Sequence, residues 1–185
     1  MCGIAGFWRD NDDQSTDWLE KTVSTMANTL VHRGPDDSGT WVDRAVGVAF
    51  GHRRLSIIDV SKAGHQPMIS ADGRFIITYN GEIYNFQKLR QQLEKKGHRF
   101  RGHSDTEVML ASFVHWGVES CVKKFNGMFA FALWDRQNRQ LWLARDRIGE
   151  KPLYYGVQNG TLFLPLNSRP YEHTRILNPR LIAMP

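Results

Sequence analysis

The spacing of hydrophobic and polar residues predicts a chain with strands near both ends and helices between them. Apolar positions in residues 18–31 recur with a period near 3.6, which predicts an amphipathic helix capped by Thr16 or Asp17. Two further helices are predicted to end at Gly97 and Gly117. Predicted strands cover residues 3–8, 41–50, 53–59, 73–80, 125–134, 140–145 and 152–157, and predicted helices cover residues 18–31, 86–96 and 105–116. This order favours an α+β domain with largely antiparallel sheets over a parallel fold in which strands and helices alternate strictly.

The amino-acid composition indicates a globular domain without a membrane helix. The chain has 185 residues, of which 41% are hydrophobic and 11% aromatic, and this is typical of a globular domain with a packed core. No apolar run approaches the roughly 18 residues of a membrane helix, and the N-terminus lacks the basic and apolar regions of a secretory signal. We therefore expect a cytoplasmic protein without a membrane partner.

The net charge of +5 raises the question of nucleic-acid binding. Residues 95–101, with the sequence KKGHRFR, are the best candidate for a nucleic-acid contact. No zinc-ligand spacing or aromatic ribonucleoprotein pattern accompanies them, and a solvated helix end and turn explain the run equally well. We expect no nucleic-acid partner.

The chain has two cysteines, Cys2 and Cys121. Cys2 opens the stretch CGIAGFW, and a residue this small is compatible with removal of Met1. One residue would then hold a thiol and a free α-amine, whose ordinary pKa values are about 8.5 and about 7.7–8.0. The alternative is a small apolar side chain at the start of a buried strand. Cys121 is interpreted as structural, and a disulfide is not expected in the cytosol.

Two polar motifs have both a structural and a chemical interpretation. In YNGEIYN, the pair Asn80 and Gly81 is typical of a tight hairpin turn. The same pair offers a side-chain amide and an unobstructed backbone N–H, which can bind a tetrahedral oxyanion. In GHRRLSIID, Arg53 and Arg54 are adjacent strand positions, so only one of them can point to a polar face and clamp a carboxylate.

A third motif, GHSDTE at residues 102–107, predicts the start of a helix. Ser104 and Glu107 fit the capping-box pattern, in which both side chains bond to N–H groups of the first turn. Asp105 gains from the helix dipole in this turn and is also suited to bind an ammonium group. Each motif is weak evidence when taken alone.

Together, and in this order behind Cys2, the motifs closely resemble the glutaminase domain of asparagine synthetases. This domain is a class II glutamine amidotransferase of the N-terminal-nucleophile hydrolase group. The resemblance covers roughly residues 1–163, through the stretches MCGIAG, HRGPDDSG, RLSIID with GHQP, YNGEIYN, GHSDTEV, FNGMFAFALWD and ARDRIGEKPLYYG. It implies an α+β fold, a layered αββα sandwich of mainly antiparallel sheets.

The resemblance also implies the reaction. Cys2 would attack the side-chain amide of L-glutamine while its own α-amine carries the proton. Asn80 and Gly81 would form the oxyanion hole. The products would be glutamate and ammonia, released by way of a thioester, with no metal or cofactor in this domain.

The substrate-binding residues are implied in the same way. Arg54 would hold the α-carboxylate of glutamine, and Glu82 with Asp105 would hold its α-ammonium group. Backbone groups of four consecutive residues would line the same pocket: Leu55, Ser56, Ile57 and Ile58. L-glutamine is thus the expected small-molecule partner, and a homodimer stays open.

The resemblance ends near residue 163. Full-length relatives continue into a synthetase domain that uses ATP and magnesium to activate aspartate, and its pyrophosphate loop has no counterpart here. Codons permitted for Phe163 to Arg175 can be read in another frame as ASELKALRAHP, which is the stretch expected in relatives. Residues 164–185 are therefore interpreted as an out-of-frame tail and the chain as a truncated product, able at most to hydrolyse glutamine.

Two alternative functions stay open. The same domain also occurs in relatives that amidate another acceptor, such as a sugar acid of a surface polysaccharide. A non-catalytic interaction fragment would keep the fold without the chemistry. Glutamate release from glutamine separates this last alternative from an enzyme.

Overall fold

Two antiparallel sheets and four α-helices form the part of the chain that the structure describes. The structure is a computed structural model, and it describes residues 1–9, 14–59 and 61–164. The strands are β1 (Gly3–Arg9), β2 (Asp37–Asp43), β3 (Val48–Arg54), β4 (Met68–Ile69), β5 (Phe75–Ile83), β6 (Gly127–Asp135), β7 (Gln140–Arg145), β8 (Gly156–Gln158) and β9 (Thr161–Leu164). The helices are α1 (Thr16–Asn28), α2 (Phe86–Glu94), α3 (Asp105–Trp116) and α4 (Val118–Lys124).

The elements are arranged in four layers. The first sheet has the strand order β2-β3-β1-β9-β8, the second has the order β4-β5-β6-β7, and all neighbouring strands are antiparallel. Helix α1 packs on the first sheet through Leu19 and Val23. Helices α2, α3 and α4 pack on the outer face of the second sheet. The predicted α+β fold, a layered αββα sandwich of mainly antiparallel sheets, is confirmed.

The two sheets face each other through large apolar side chains. Phe50 of the first sheet packs with Ile76 and Trp134 of the second, and all three are essentially inaccessible to solvent. Strand β3 is covered by α1 on one face and by the second sheet on the other. This explains why its residues from Val48 to Phe50 are uniformly apolar instead of alternating.

Helix α3 and strand β7 match the predicted ranges, whereas other boundaries differ. Helix α1 is capped by Ser15, whose Oγ accepts a hydrogen bond from the Trp18 N–H at 3.2 Å, so the predicted cap was wrong. The strand predicted over residues 53–59 is also wrong beyond Arg54. Beyond Arg54 neither neighbouring strand offers a pairing partner, because the antiparallel strand β1 begins opposite Arg53 and β2 begins opposite Arg54.

Asn80 and Gly81 lie inside strand β5, so the hairpin-turn interpretation is wrong. Asn80 pairs with Ala130 and Gly81 pairs with Phe129 of β6. A Cβ atom on Gly81 would overlap the main chain of Met128 and Phe129. The glycine therefore permits the close approach of two strands, and it is not needed here for a turn.

The first half of the predicted capping box is confirmed. The Glu107 N–H donates to Ser104 Oγ at 3.2 Å at the start of α3. The carboxylate of Glu107 accepts hydrogen bonds from the N–H groups of Arg101 and Gly102 instead, both at 2.9 Å. It therefore fixes the segment that leads into the helix.

Leu164, which the sequence interpretation assigned to the tail, is the last residue of β9 and pairs with Gly6 of β1. Residues 165–185, the rest of the predicted tail, lie outside the described residues, and their origin stays a prediction. In the ranges that the structure describes, none of the helices has the length and apolar character needed to cross a bilayer.

Candidate active site

A cavity of about 260 Å³ lies where the ends of several elements meet. Cys2 directly precedes β1, Arg54 ends β3, and Asp105 begins α3. The cavity is lined by nine of the ten site residues expected from the sequence: Cys2, Arg54, Leu55, Ile57, Ile58, Asn80, Gly81, Glu82 and Asp105. Ser56 is not among the lining residues, and its N–H donates to the Asp36 carboxylate at 2.8 Å.

The Cys2 thiol lies against the main chain of Leu55. The Leu55 N–H donates to Cys2 Sγ at 3.4 Å, and the thiol lies 3.7 Å from the Leu55 carbonyl oxygen. Burial raises the pKa of the Cys2 thiol, although the Leu55 N–H, the charge of the chain terminus and Arg54 oppose this effect. The thiol is therefore largely protonated at neutral pH, and nucleophilic attack needs a base. With Met1 attached, the Cys2 nitrogen is an amide and cannot act as that base.

Arg54 anchors the loop that forms one wall of the cavity. Its guanidinium donates hydrogen bonds to the carbonyl oxygens of Asp59 and Ser61. An arginine has five N–H donors, so these two bonds leave others for a carboxylate in the cavity. The neighbouring Arg53 bonds to the side-chain oxygen of Asn28, outside the cavity lining, which confirms that only one of the two arginines faces the site.

Asp59 ties the same loop to the segment before α3. Its carboxylate accepts hydrogen bonds from the N–H groups of Ser61 and His103, both at 2.8 Å. Burial acts to raise the pKa of Asp59, but a hydrogen bond from the Ser61 hydroxyl, the two N–H bonds and the charge of Arg54 outweigh burial, and the pKa is lowered. The carboxylate is thus ionised at neutral pH and holds the wall in place.

Asp105 and Glu82 place negative charge beside the cavity. Asp105 Oδ2 accepts hydrogen bonds from the Tyr79 hydroxyl at 2.7 Å and from the Ile83 N–H at 2.9 Å. Burial raises the pKa of Asp105, the nearby charge of Glu82 adds to this rise, and the hydrogen bonds oppose it. A bound cation would stabilise the ionised form of this buried carboxylate.

Several lining residues were missed by the sequence interpretation: Asp59, Gly64, Gln66, Tyr79, Thr106 and Lys151. Each lies within one of the stretches that carry the resemblance, and this location could have marked it as a candidate site residue. Gly64 is needed because a Cβ atom there would overlap the guanidinium of Arg54. In the stretch HRGPDDSG, Asp37 braces the loop from outside, through a contact of 2.8 Å between its Oδ2 and His65 Nδ1.

Two facing antiparallel sheets carry a thiol, an arginine and two carboxylates around one cavity, and this combination suits an enzyme of amide chemistry with a cysteine nucleophile. Residues 1–169 match the family model described as the glutamine amidotransferase domain, so the chain belongs to this family. The glutamine phosphoribosylpyrophosphate amidotransferase of Bacillus subtilis has the same fold, with a TM-score of 0.71 at 20% sequence identity. The match covers 89% of this chain and 41% of that chain.

Curated relatives are more similar in sequence. Asparagine synthetases [glutamine-hydrolyzing] 3 and 1 of Bacillus subtilis (strain 168) are 45% identical over 166 residues and 44% identical over 163 residues. These matches cover 89% and 88% of this chain. Amidase chry2 of Gibberella zeae is 37% identical over 171 residues, which is 89% of this chain. The chain spans about a quarter of each relative, namely 26%, 25% and 25%.

Proposed function

We propose that this chain hydrolyses L-glutamine to glutamate and ammonia through a thioester on Cys2. The observation that carries the proposal is the convergence of the Cys2 thiol, Arg54, Glu82 and Asp105 on one cavity of about 260 Å³. Glutamine is a zwitterion with a neutral amide, so its site needs a cation, an anion and a nucleophile at different points. The cavity is smaller than the roughly 300–1,000 Å³ of pockets for drug-sized ligands, which suits one amino acid.

The substrate is held by its two charged groups. Arg54 donates hydrogen bonds to the α-carboxylate, and Glu82 with Asp105 attracts the α-ammonium group. The ammonium group also stabilises the ionised form of Asp105 and so opposes the rise in its pKa that burial causes. Backbone groups of the loop that follows Arg54 complete the wall around the substrate.

The chemistry begins at a Cys2 amine that removal of Met1 has freed. The amine takes the thiol proton, Sγ attacks the amide carbon, and the oxyanion receives hydrogen bonds from the Asn80 side-chain amide and the Gly81 N–H. The amine returns the proton to the amide nitrogen, the C–N bond breaks, and ammonia leaves a thioester behind. Water, deprotonated by the same amine, then adds to the thioester. Collapse of this adduct breaks the C–S bond and releases glutamate, and the amine returns its proton to the sulfur, which restores the thiol.

We further propose that the ammonia belongs to the nitrogen-donor half of asparagine synthesis. The support is the identity of 45% and 44% to two proteins named glutamine-hydrolysing asparagine synthetases. In full-length relatives, ATP and magnesium would activate aspartate in the synthetase domain, within the part of the relatives that this chain does not span.

A second candidate is the same glutaminase serving another acceptor, such as a sugar acid of a polysaccharide. Its support is that the similar proteins are not all named asparagine synthetases, since one with 37% identity is named an amidase. The nitrogen-donor site would be identical in both cases. Sequencing the gene beyond the codon for Leu164 decides between them, since an acceptor domain encoded there in any frame identifies the acceptor.

The decisive experiment measures glutamate release from L-glutamine by the purified 185-residue chain. We expect Cys2→Ala to abolish release and Cys121→Ala to retain it. Cys121 is the matched control because it is fully buried among apolar side chains, and burial raises the pKa of its thiol to about 12. Mass spectrometry of the active protein should show that Met1 is absent. Unchanged release by Cys2→Ala, or an active protein that retains Met1, would contradict the mechanism.

A further inference from the structure

Tyr79, the residue before the proposed oxyanion pair, is held by buried side chains at every polar group. Its N–H donates to Gln66 Oε1 at 2.8 Å, and its carbonyl oxygen lies 2.9 Å from His52 Nε2. Its hydroxyl donates to Asp105 Oδ2 at 2.7 Å. Tyr79, His52, Gln66 and Asp105 are all buried. Three distant segments of the chain therefore converge on one residue of β5.

The edge of the second sheet explains why side chains are needed there. Strand β4 pairs with β5 only through Met68 and Ile69, opposite Ile77 and Ile76. Continuing this register would place Gln66 opposite Tyr79, but β4 begins only at Met68. The Tyr79 N–H and C=O would be unpaired and buried without other partners. The side chains of Gln66 and His52 take the place of the missing strand.

His52 links the first sheet, in which strand β1 follows Cys2, to strand β5, which carries Asn80 and Gly81. It lies in β3 opposite Ile4 of β1, which is two residues after Cys2, and it reaches across to the second sheet. Because a carbonyl oxygen only accepts, Nε2 carries the proton and donates it to Tyr79. Nδ1 then has no proton and no hydrogen-bond partner among the described residues, so the ring has a single polar contact.

The geometry points to His52 and Gln66 as positioning residues for the oxyanion hole, an inference that rests on the proposed function. The carbonyl of Tyr79 belongs to the peptide unit that ends at the Asn80 nitrogen. Rotation of this unit would change the direction of the Asn80 side chain, whose amide must meet the oxyanion. His52 fixes the plane of this peptide, and Gln66 fixes the peptide before it. Neither residue contacts the reacting atoms in this role.

The test compares glutamate release by four variants of the full chain. His52→Phe keeps an aromatic ring without the donor, and Gln66→Met keeps the length of the side chain without its polar atoms. We expect kcat to fall by roughly 10–10²-fold in both, with KM changed by less than about threefold, because small misplacements cost rates of this size. His52→Gln places an amide donor near the Nε2 position and should restore most of the kcat lost in His52→Phe.

Thr78→Val is the matched control. Thr78 is also fully buried in β5, and its hydroxyl donates to the Gly51 carbonyl of the first sheet at 3.4 Å. The substitution therefore removes a buried contact between the sheets without touching the Tyr79 peptide, and we expect wild-type kcat. If His52→Phe and Gln66→Met keep the kcat of Thr78→Val, or lose activity through KM alone, the inference is overturned.

Failure of the proposed function would be recognised separately, as the absence of glutamate release by the wild-type chain. Crystal structures of Gln66→Met and Thr78→Val then decide the inference without activity. We expect the Asn80 side-chain amide to move by at least about 0.5 Å in Gln66→Met, the tolerance of a productive geometry, and to stay in place in Thr78→Val. An unmoved Asn80 in Gln66→Met would overturn the inference. Gln66→Met also supplies the answer if His52→Phe does not fold.

Discussion

The buried His52 should make the stability of the fold depend on pH. Burial lowers the pKa of His52 from 6.5 to about 4, and the charge of Arg54 acts in the same direction. The hydrogen bond to the Tyr79 carbonyl and the charge of Asp37 oppose the shift without cancelling it. The folded chain therefore holds a neutral imidazole at a pH where the unfolded chain already binds a proton.

The sign and size of the effect follow from these two pKa values. Between pH 6.5 and about 4 the unfolded state binds more protons, so the free energy of unfolding falls as the pH falls. The contribution of the neutral His52 to the free energy of unfolding is complete above pH 6.5 and is lost as the pH drops through about 4. The loss is about 1 kcal/mol at pH 5.5 and between about 2 and 3 kcal/mol at pH 4.5, because one pH unit is worth roughly 1.36 kcal/mol.

The assay is urea unfolding of the wild type and of His52→Gln at pH 7, 5.5 and 4.5. His52→Gln keeps a hydrogen-bond donor for the Tyr79 carbonyl but cannot titrate, so the difference between the two proteins isolates His52. His32→Gln removes an exposed histidine, and its difference from the wild type measures the background of such a substitution. If the wild type and His52→Gln lose stability in parallel from pH 7 to 4.5, the reasoning about a buried neutral imidazole is refuted.

The remaining predictions concern the site. Asn80→Ala should lower kcat by about 10²–10³-fold with little change in KM, the usual cost of one lost oxyanion donor, and undiminished glutaminase turnover would refute its role. Arg54→Gln should raise KM for glutamine more than it lowers kcat, as steady-state kinetics can show; an unchanged KM would argue against a carboxylate contact. Gly81→Ala should fold poorly because its Cβ would overlap the Met128 carbonyl, and a wild-type melting temperature would contradict this.

Elements with a complete local signal were predicted well from the sequence. Helix α3 was placed over its full range because Ser104 marks its start, Gly117 marks its end, and apolar residues fill the turns between them. Gly117 adopts a φ of 78°, a conformation that glycine tolerates and most residues avoid. Such signals depend on neighbours in the chain, and they remain valid wherever the helix packs.

Elements whose limits depend on a partner strand were predicted less well. The apolar run from Leu55 to Ile58 is typical of a strand, yet none of the strands in the described ranges pairs with it, and Ile57 is 71% exposed. The pair Asn80 and Gly81 is typical of a turn, but pairing with β6 keeps both residues extended. In both cases a tertiary contact, or the lack of one, outweighed the local preference.

The sequence by itself determined which chemical groups are available and the family to which the chain belongs. The thiol at the second position, the amide next to a glycine and the matched stretches are visible without coordinates, because each is a matter of residue type and order. Only the tertiary structure decided which groups meet. Cys2 contacts Leu55 across 53 positions of sequence, and His52 reaches Tyr79 from the other sheet. These contacts depend on the packing of whole layers, which no short stretch of sequence encodes.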